Sequence, residues 1–384
     1  MTAIDFATAR LRVNPACRLI EPATLGVAER ARLAQLVTLA EGWAVLVPVA
    51  PGYLPSRALC PQTRALLTVL QQPSPLPTAL NTQEVQLQVR RLVLDHLLEV
   101  EIGEGFVGGP RAYGLLGSSD LPQVSGLSGE ALSYGQALAV DDEHTLAMRL
   151  YLYNRIPASD RWLHRFSDPQ AIAHHLGIGG GDPCAGLGHT RWVRALTTDE
   201  DAPWFSWQAV DAPRLGDHPL YKLYISPRPE AFGAVFRAAV ACFNRSRAVS
   251  FKVGRTLDGV LRPDKLIAYF VEPDALHEAA RRLAVALAEQ PAQGVPFAAA
   301  LTTDGMLFSG MDPPLKARLG EAGPTSWRWW ICRRLAAHLS AARREPSCGI
   351  EPRQFALARL ALDGVDTDTW MPKPGLWSEE QLWT

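Results

Sequence analysis

The stretch Ser250–Phe270, SFKVGRTLDGVLRPDKLIAYF, decides how the rest of the chain is read. Two apolar runs, VSF and LIAYF, flank a turn-forming middle, which is the pattern of a β-hairpin. Its cations, Lys252, Arg255, Arg262 and Lys265, meet only Asp258 and Asp264 as opposing charges. Ordinary hairpins bury one face and leave mixed charge on the other. The chain holds 38 Lys plus Arg but only five lysines, and three of these (Lys222, Lys252, Lys265) fall in strand-like segments between 221 and 270. Burial and neighbouring cations lower a lysine's pKa toward neutrality, so Lys can serve as a base where Arg cannot. A solvated sheet face stays open as the alternative.

Working outward, the same unit repeats. YKLYIS precedes the helical PEAFGAVFRAAVACF, the hairpin precedes DALHEAARRLAVALAEQ, and VPFAAALTTDGMLFSGM precedes SWRWWICRRLAAHLSAARR. Strands separated by helices, with some joined as hairpins, predict an α+β fold: a mixed or antiparallel sheet with helices packed on one face. Strand parity then sorts the side chains. Lys222 and Tyr224, Ser250, Lys252 and Gly254, and Lys265, Ile267 and Tyr269 share one face. Leu223, Ile225, Phe251, Val253, Leu266, Ala268 and Phe270 take the opposite, helix-covered face. Cations and tyrosine hydroxyls therefore gather away from the helices, as a candidate anion site.

Residues 216–345 form this strand–helix domain, and 346–384 read as a C-terminal tail. Residues 1–110 read as a mainly helical region, with GVAERARLAQLVTLAEGW and TQEVQLQVRRLVLDHLLEV at helical spacing. The second helix runs into a hairpin in which Leu98, Val100 and Ile102 alternate with charge, the outline of a winged helix. No basic stripe marks that helix, so peptide docking is expected rather than DNA reading. GEGFVG matches GxGxxG at Gly103, Gly105 and Gly108, but GPRAYG follows where a phosphate-binding helix should start, so a hairpin turn is the reading. Residues 111–215 look irregular: a helix in ALSYGQALAV, a strand in TLAMRLYLYNRI with Arg149, Tyr151 and Tyr153 alternating, and a Trp-rich patch of Trp192, Trp204 and Trp207. That patch is either aromatic core or a peptide-contact surface. His174, His175 and His189 lie in a loop-like stretch without metal spacing or a completing carboxylate.

Composition excludes several classes. With 47% hydrophobic and 20% charged residues and a formal net charge of −1, the chain is globular, with no bulk attraction to nucleic acid or membrane. The six cysteines form no CxxC pairs and read as reduced, mostly buried thiols in a cytoplasmic protein. No signal region and no membrane span is expected, nor any metal or cofactor.

The order YKLYIS, SFKV, RPDKLIAY, VPFAAALTTDG and the SW helix start resembles the Hop type III effector A family over roughly residues 220–345. Arg262, Asp264 and Tyr269 match an R-x-D-x4-Y spacing, and Lys252 stands where that family has a lysine in the preceding strand. The resemblance implies a lyase partner in class V lanthipeptide and thioamitide pathways, in which a kinase-like protein phosphorylates Ser or Thr of a precursor peptide and the lyase eliminates the phosphate. In that chemistry Lys252, near Arg255 and Arg262, is the candidate base. Lys222, Arg255, Arg262 and Lys265 are candidate phosphate ligands, with Asp264 orienting Arg262, and Tyr269 or Tyr224 is the leaving-group acid. Two other classes fit the residues: a barrel-type aromatic prenyltransferase holding a prenyl diphosphate, and a non-catalytic peptide-binding scaffold.

Overall fold

A computed structural model describes residues 4–27, 42–49, 57–116, 124–179, 191–195, 203–213, 220–313, 326–346, 349–374 and 376. Residues 28–41 of the helix expected over 26–43, and most of the stretch holding His189, lie outside these residues. The site rests on a seven-stranded sheet formed by β1 (Trp192–Arg194), β2 (Trp204–Ala209), β3 (Tyr221–Ile225), β4 (Ser250–Gly254), β5 (Leu266–Phe270), β6 (Ala299–Ala300) and β7 (Leu307–Met311). The spatial order is β6-β7-β3-β5-β4-β2-β1, and every pair is antiparallel. The sheet thus crosses the boundary expected at 216, taking two strands from the stretch read as irregular.

The quoted segment forms neighbouring strands, with Ser250 opposite Tyr269 and Lys252 opposite Ile267. Their connection carries the short helix Leu257–Leu261, started by Thr256, whose hydroxyl accepts from Gly259 N at 3.1 Å. A Cβ on Gly254 would lie 2.5 Å from the Gly259 carbonyl carbon, so only glycine lets the chain fold back this tightly. This fold-back returns Arg262 to the end of the strand that carries Lys252.

Parity holds throughout the central strands. Leu223, Ile225, Phe251, Val253, Leu266, Ala268 and Phe270 enter one apolar core with Phe232, Val235 and Phe236 of α2 (Phe232–Phe243) and Leu276 and Leu283 of α3 (Pro273–Ala286). The Trp-rich patch divides by the same rule. Trp192 and Trp207 pack on Phe251 in this core, at ring-centroid distances of 4.8 and 5.0 Å, while Trp204, three residues before Trp207, lies on the opposite face. That opposite face carries a small apolar patch of Tyr224, Ile267, Val295, Ala298 and Phe308.

Helices are not confined to one face. TLAMRLYLYNRI, expected as a strand, is helical in α1 (Glu143–Tyr151). Asp142 caps it by accepting from Thr145 N, and Leu146, Ala147 and Leu150 form a buried stripe at helical spacing. With α4 (Trp327–Arg343) and α5 (Pro352–Leu362) it builds a second core, and Tyr151 and Arg328 from its edge reach the open sheet face. The described part of the segment read as a tail carries α5 followed by the strand pair Val365–Asp366 and Met371–Pro372.

In the N-terminal region helix Gln83–Leu94 leads into the hairpin Leu98–Ile102 and Gly105–Val107, joined by Leu11–Val13 as a third strand. Ile102 pairs with Gly105 across a two-residue turn whose Gly103 has φ +59°, so the GxGxxG match is a hairpin turn. This region packs on Ala342, Phe355 and Ala358 of α4 and α5. No helix among the described residues is long and apolar enough to cross a membrane.

Candidate functional site

Lys252 projects from β4 onto the open face, half-buried between two rings. Its Nζ lies 4.5 Å from the Trp204 ring centroid and 5.7 Å from that of Tyr269. Among the described residues no carboxylate pairs with it. Lys222 lies on the other side of Tyr269, its Nζ 5.2 Å from the ring centroid, and is only 3% exposed. Its partner is Asp312, at 2.7 Å. Burial works against the Lys222 ammonium, but Asp312, with Tyr269 and Tyr224, outweighs it and raises the pKa above the usual lysine value. Lys222 is a locked cation beneath the site, and Asp312 also accepts from Trp327 N at 3.0 Å, tying it to the start of α4.

Arg262 lies against the same Trp204 indole. Its Cζ lies 5.1 Å from the Trp204 centroid and 5.0 Å from that of Tyr151. Nε and Nη2 donate to the two oxygens of Asp264 at 2.9 and 3.0 Å, the bidentate fork expected of an arginine–carboxylate pair. Nη2 also donates to the Tyr151 hydroxyl at 2.5 Å, which in turn donates to Asp264 at 3.2 Å. Nη1 forms no hydrogen bond among the described residues. Asp264 meets a second guanidinium, Arg328 Nη1, at 2.9 Å, close enough to pair but not aligned as a hydrogen bond. Arg328 is held by donating to the carbonyls of Pro296 and Tyr151 at 2.9 and 2.8 Å. Burial alone pushes the Asp264 carboxyl up, yet Arg262 and Arg328 hold it well below the usual carboxylate range.

The remaining candidates stand elsewhere. Tyr224 shares the face, but its hydroxyl is buried without a hydrogen-bond partner among the described residues, and burial raises its pKa. Tyr269 is the more accessible of the two tyrosines. Arg255 does not join the cluster: its Cζ lies 5.8 Å from the Phe205 ring, whose side chain belongs to the helix-covered core. Lys265 is fully buried at the sheet end, where its ammonium donates to the Pro227 carbonyl at 2.7 Å and to Gln293 Oε1. Burial pushes its pKa down to about 7.

Four participants were not legible as site residues: Trp204, Tyr151, Asp312 and Arg328. One signal for Arg328 was present. A cation in the first turn of a helix opposes the helix dipole, so its place in SWRWW requires a nearby anion, which Asp264 supplies. The assembled face holds one ammonium without an ion-pair partner among the described residues, one guanidinium fixed edge-on by a buried carboxylate, and a half-buried phenol between two lysines. It is equipped to hold an anion and to move a proton beside it.

No family model matches the sequence, and no curated protein matches it. Among solved structures, the chain is similar to the effector protein from Pseudomonas syringae pv. tomato strain DC3000, at 13% identity over 64% of this chain and 95% of that one, with a TM-score of 0.41. A second effector, from Pseudomonas syringae pv. syringae strain 61, aligns at 14% identity over 64% and 94%, with a TM-score of 0.39. The type III effector/phosphothreonine lyase OspF from Shigella flexneri aligns at 12% identity over 38% and 78%, with a TM-score of 0.27. Likeness this distant leaves the chemistry to be read from the side chains.

Proposed function

We propose that the chain is a lyase that eliminates phosphate from phosphorylated Ser or Thr in a peptide, leaving a dehydroamino acid. The observation that carries this reading is Lys252: a cation on an open sheet face, unpaired among the described residues, beside an arginine whose own carboxylate has fixed its orientation. A site needing only charge would pair or expose its lysine. This one leaves it half-buried between two aromatic rings with no carboxylate at ion-pair distance among the described residues.

In the proposed reaction the Lys252 amine takes the α-proton of the phosphorylated residue. The electrons of the broken Cα–H bond form the Cα=Cβ double bond, and the Cβ–O bond to phosphate breaks. Arg262, presenting Nη1, pairs with the phosphate oxygens, and Lys222 adds field from below. The Tyr269 hydroxyl donates a proton to the departing oxygen, and the Lys252 ammonium returns one to the phenolate. The products are the dehydro residue and hydrogen phosphate. A positioned base of this kind contributes about 10²–10⁴-fold in rate.

The motif resemblance around Ser250–Tyr269 supports a precursor peptide in natural-product biosynthesis as the substrate, phosphorylated by a kinase-like partner. The prenyltransferase alternative loses its architectural basis, because among the described residues edge strands β1 and β6 do not pair and the sheet stays open. Incubation with phosphoserine and phosphothreonine peptides, followed by mass spectrometry and phosphate assay, tests the proposal. Loss of phosphoric acid with stoichiometric free phosphate is expected. Peptide binding without any mass change would establish the scaffold instead.

A further inference from the structure

Trp204 takes no part in the proton transfers above, yet both groups that do the chemistry lie against it. Its ring centroid is 4.5 Å from Lys252 Nζ and 5.1 Å from Arg262 Cζ. It pairs across the sheet with Gly254, on the strand that carries Lys252. It also packs on the apolar patch of the open face, with Tyr224, Ile267 and Phe308, which anchors the ring. Arg262 is held from the other side by Tyr151 and along its edge by Asp264. Lys252 has no such polar hold among the described residues, and a lysine stem without one samples several rotamers.

We infer that Trp204 is a positioning residue: one indole holds the Lys252 ammonium and the Arg262 guanidinium at a fixed separation, so that a phosphate bound at Arg262 presents its neighbouring carbon to Lys252. The assignment of a base and a phosphate clamp rests on the lyase reading, whereas the spacing of the two cations around one anion does not. An indole face attracts both ammonium and guanidinium groups. A ringless side chain of similar reach would fill the volume without that attraction, and a small displacement of reacting groups costs about 10²-fold in rate.

The test compares wild type, Trp204→Met and Trp204→Phe by calorimetric titration with inorganic phosphate and by elimination kinetics on a phosphoserine peptide. Trp204→Met is expected to weaken phosphate binding about tenfold and to lower kcat about 10²-fold, with Trp204→Phe recovering most of both losses. A packing role alone would lower the melting temperature and leave the phosphate Kd and kcat of the folded protein unchanged. That result overturns the inference, as does the absence of phosphate binding in wild type. If no phosphopeptide is turned over but phosphate binding still depends on the ring, the lyase reading fails and the positioning role stands. Should Trp204→Met not fold, ¹³C reductive methylation of the five lysines decides. The Lys252 methyl signal, assigned by its loss in Lys252→Arg, should be displaced upfield in wild type and less so in Trp204→Phe. A Lys252 signal at the free-lysine position overturns the inference.

Discussion

Replacing Asp264 by Asn probes what holds the site in shape. The carboxylate is 3% exposed and receives two hydrogen bonds from Arg262 and one from Tyr151, with Arg328 at 2.9 Å. Asparagine keeps the volume but removes the charge, leaving two buried guanidiniums uncompensated and turning an amide donor toward one of them. Breaking a buried ion pair from one side costs about 3–5 kcal/mol, and the two arginines here share one anion, so the loss should fall within that range. Urea denaturation at neutral pH measures it. The acid side gives a second reading. Burial opposes the charged forms of Asp264 and of Asp363, which ends α5 and pairs with Arg359, but their arginine partners hold both carboxyls below the usual range. The unfolded chain therefore binds protons first. The stability they contribute is complete above about pH 4 and drains as pH falls toward their folded values. Asp264→Asn should remove its share of that acid-side slope. A loss below about 1 kcal/mol with an unchanged slope would refute the view that Asp264 organises the two arginines.

Further outcomes are specific to single residues. Gly310→Ala would place a Cβ 2.8 Å from Trp327 Cδ1 and 3.2 Å from the Tyr224 ring, so it should destabilise by about 1–3 kcal/mol in the same urea assay. Burial pushes Lys265 down to about 7, below its unfolded value, so the unfolded chain holds the extra proton between there and about pH 10.4. Stability should therefore rise with pH across that window, and Lys265→Met should flatten the rise in denaturation curves taken at several pH values. Arg255→Ala, whose guanidinium lies against Phe205 of the helix-side core, should leave kcat for phosphopeptide elimination within about twofold of wild type, because it touches none of the groups proposed to react.

The sheet was legible because its apolar residues alternate without interruption through three central strands. Parity alone put Lys222, Lys252, Tyr224 and Tyr269 on one face and Phe251 and its neighbours on the other. It failed where the strands stop. After Gly254 the chain turns, with Arg255 N bonding to the Pro203 carbonyl, so Arg255 swings to the helix side. Lys265 lies just before β5, and its stem runs along the sheet end to Pro227 rather than outward. Parity applied to the middle region would have separated Trp204 from Trp207, since residues three apart in a strand face opposite ways. Tyr151 was hidden differently: Arg149, Tyr151 and Tyr153 mimic strand alternation, while the stripe that matters is Leu146, Ala147 and Leu150. Its contact with Asp264 spans 113 residues of sequence, a separation local patterns do not report.

The central claim is that Lys252 is a base and not merely a charge. The direct test is the rate of phosphate release from a phosphoserine peptide by Lys252→Arg, in protein shown to bind inorganic phosphate as wild type does. A guanidinium keeps the positive charge against Trp204 and Tyr269 but stays protonated, so it cannot accept the α-proton. Elimination should fall by about 10²–10⁴-fold while phosphate affinity is retained. A Lys252→Arg protein that releases phosphate at a near-normal rate would contradict the account, leaving an anion-binding cleft whose base lies elsewhere.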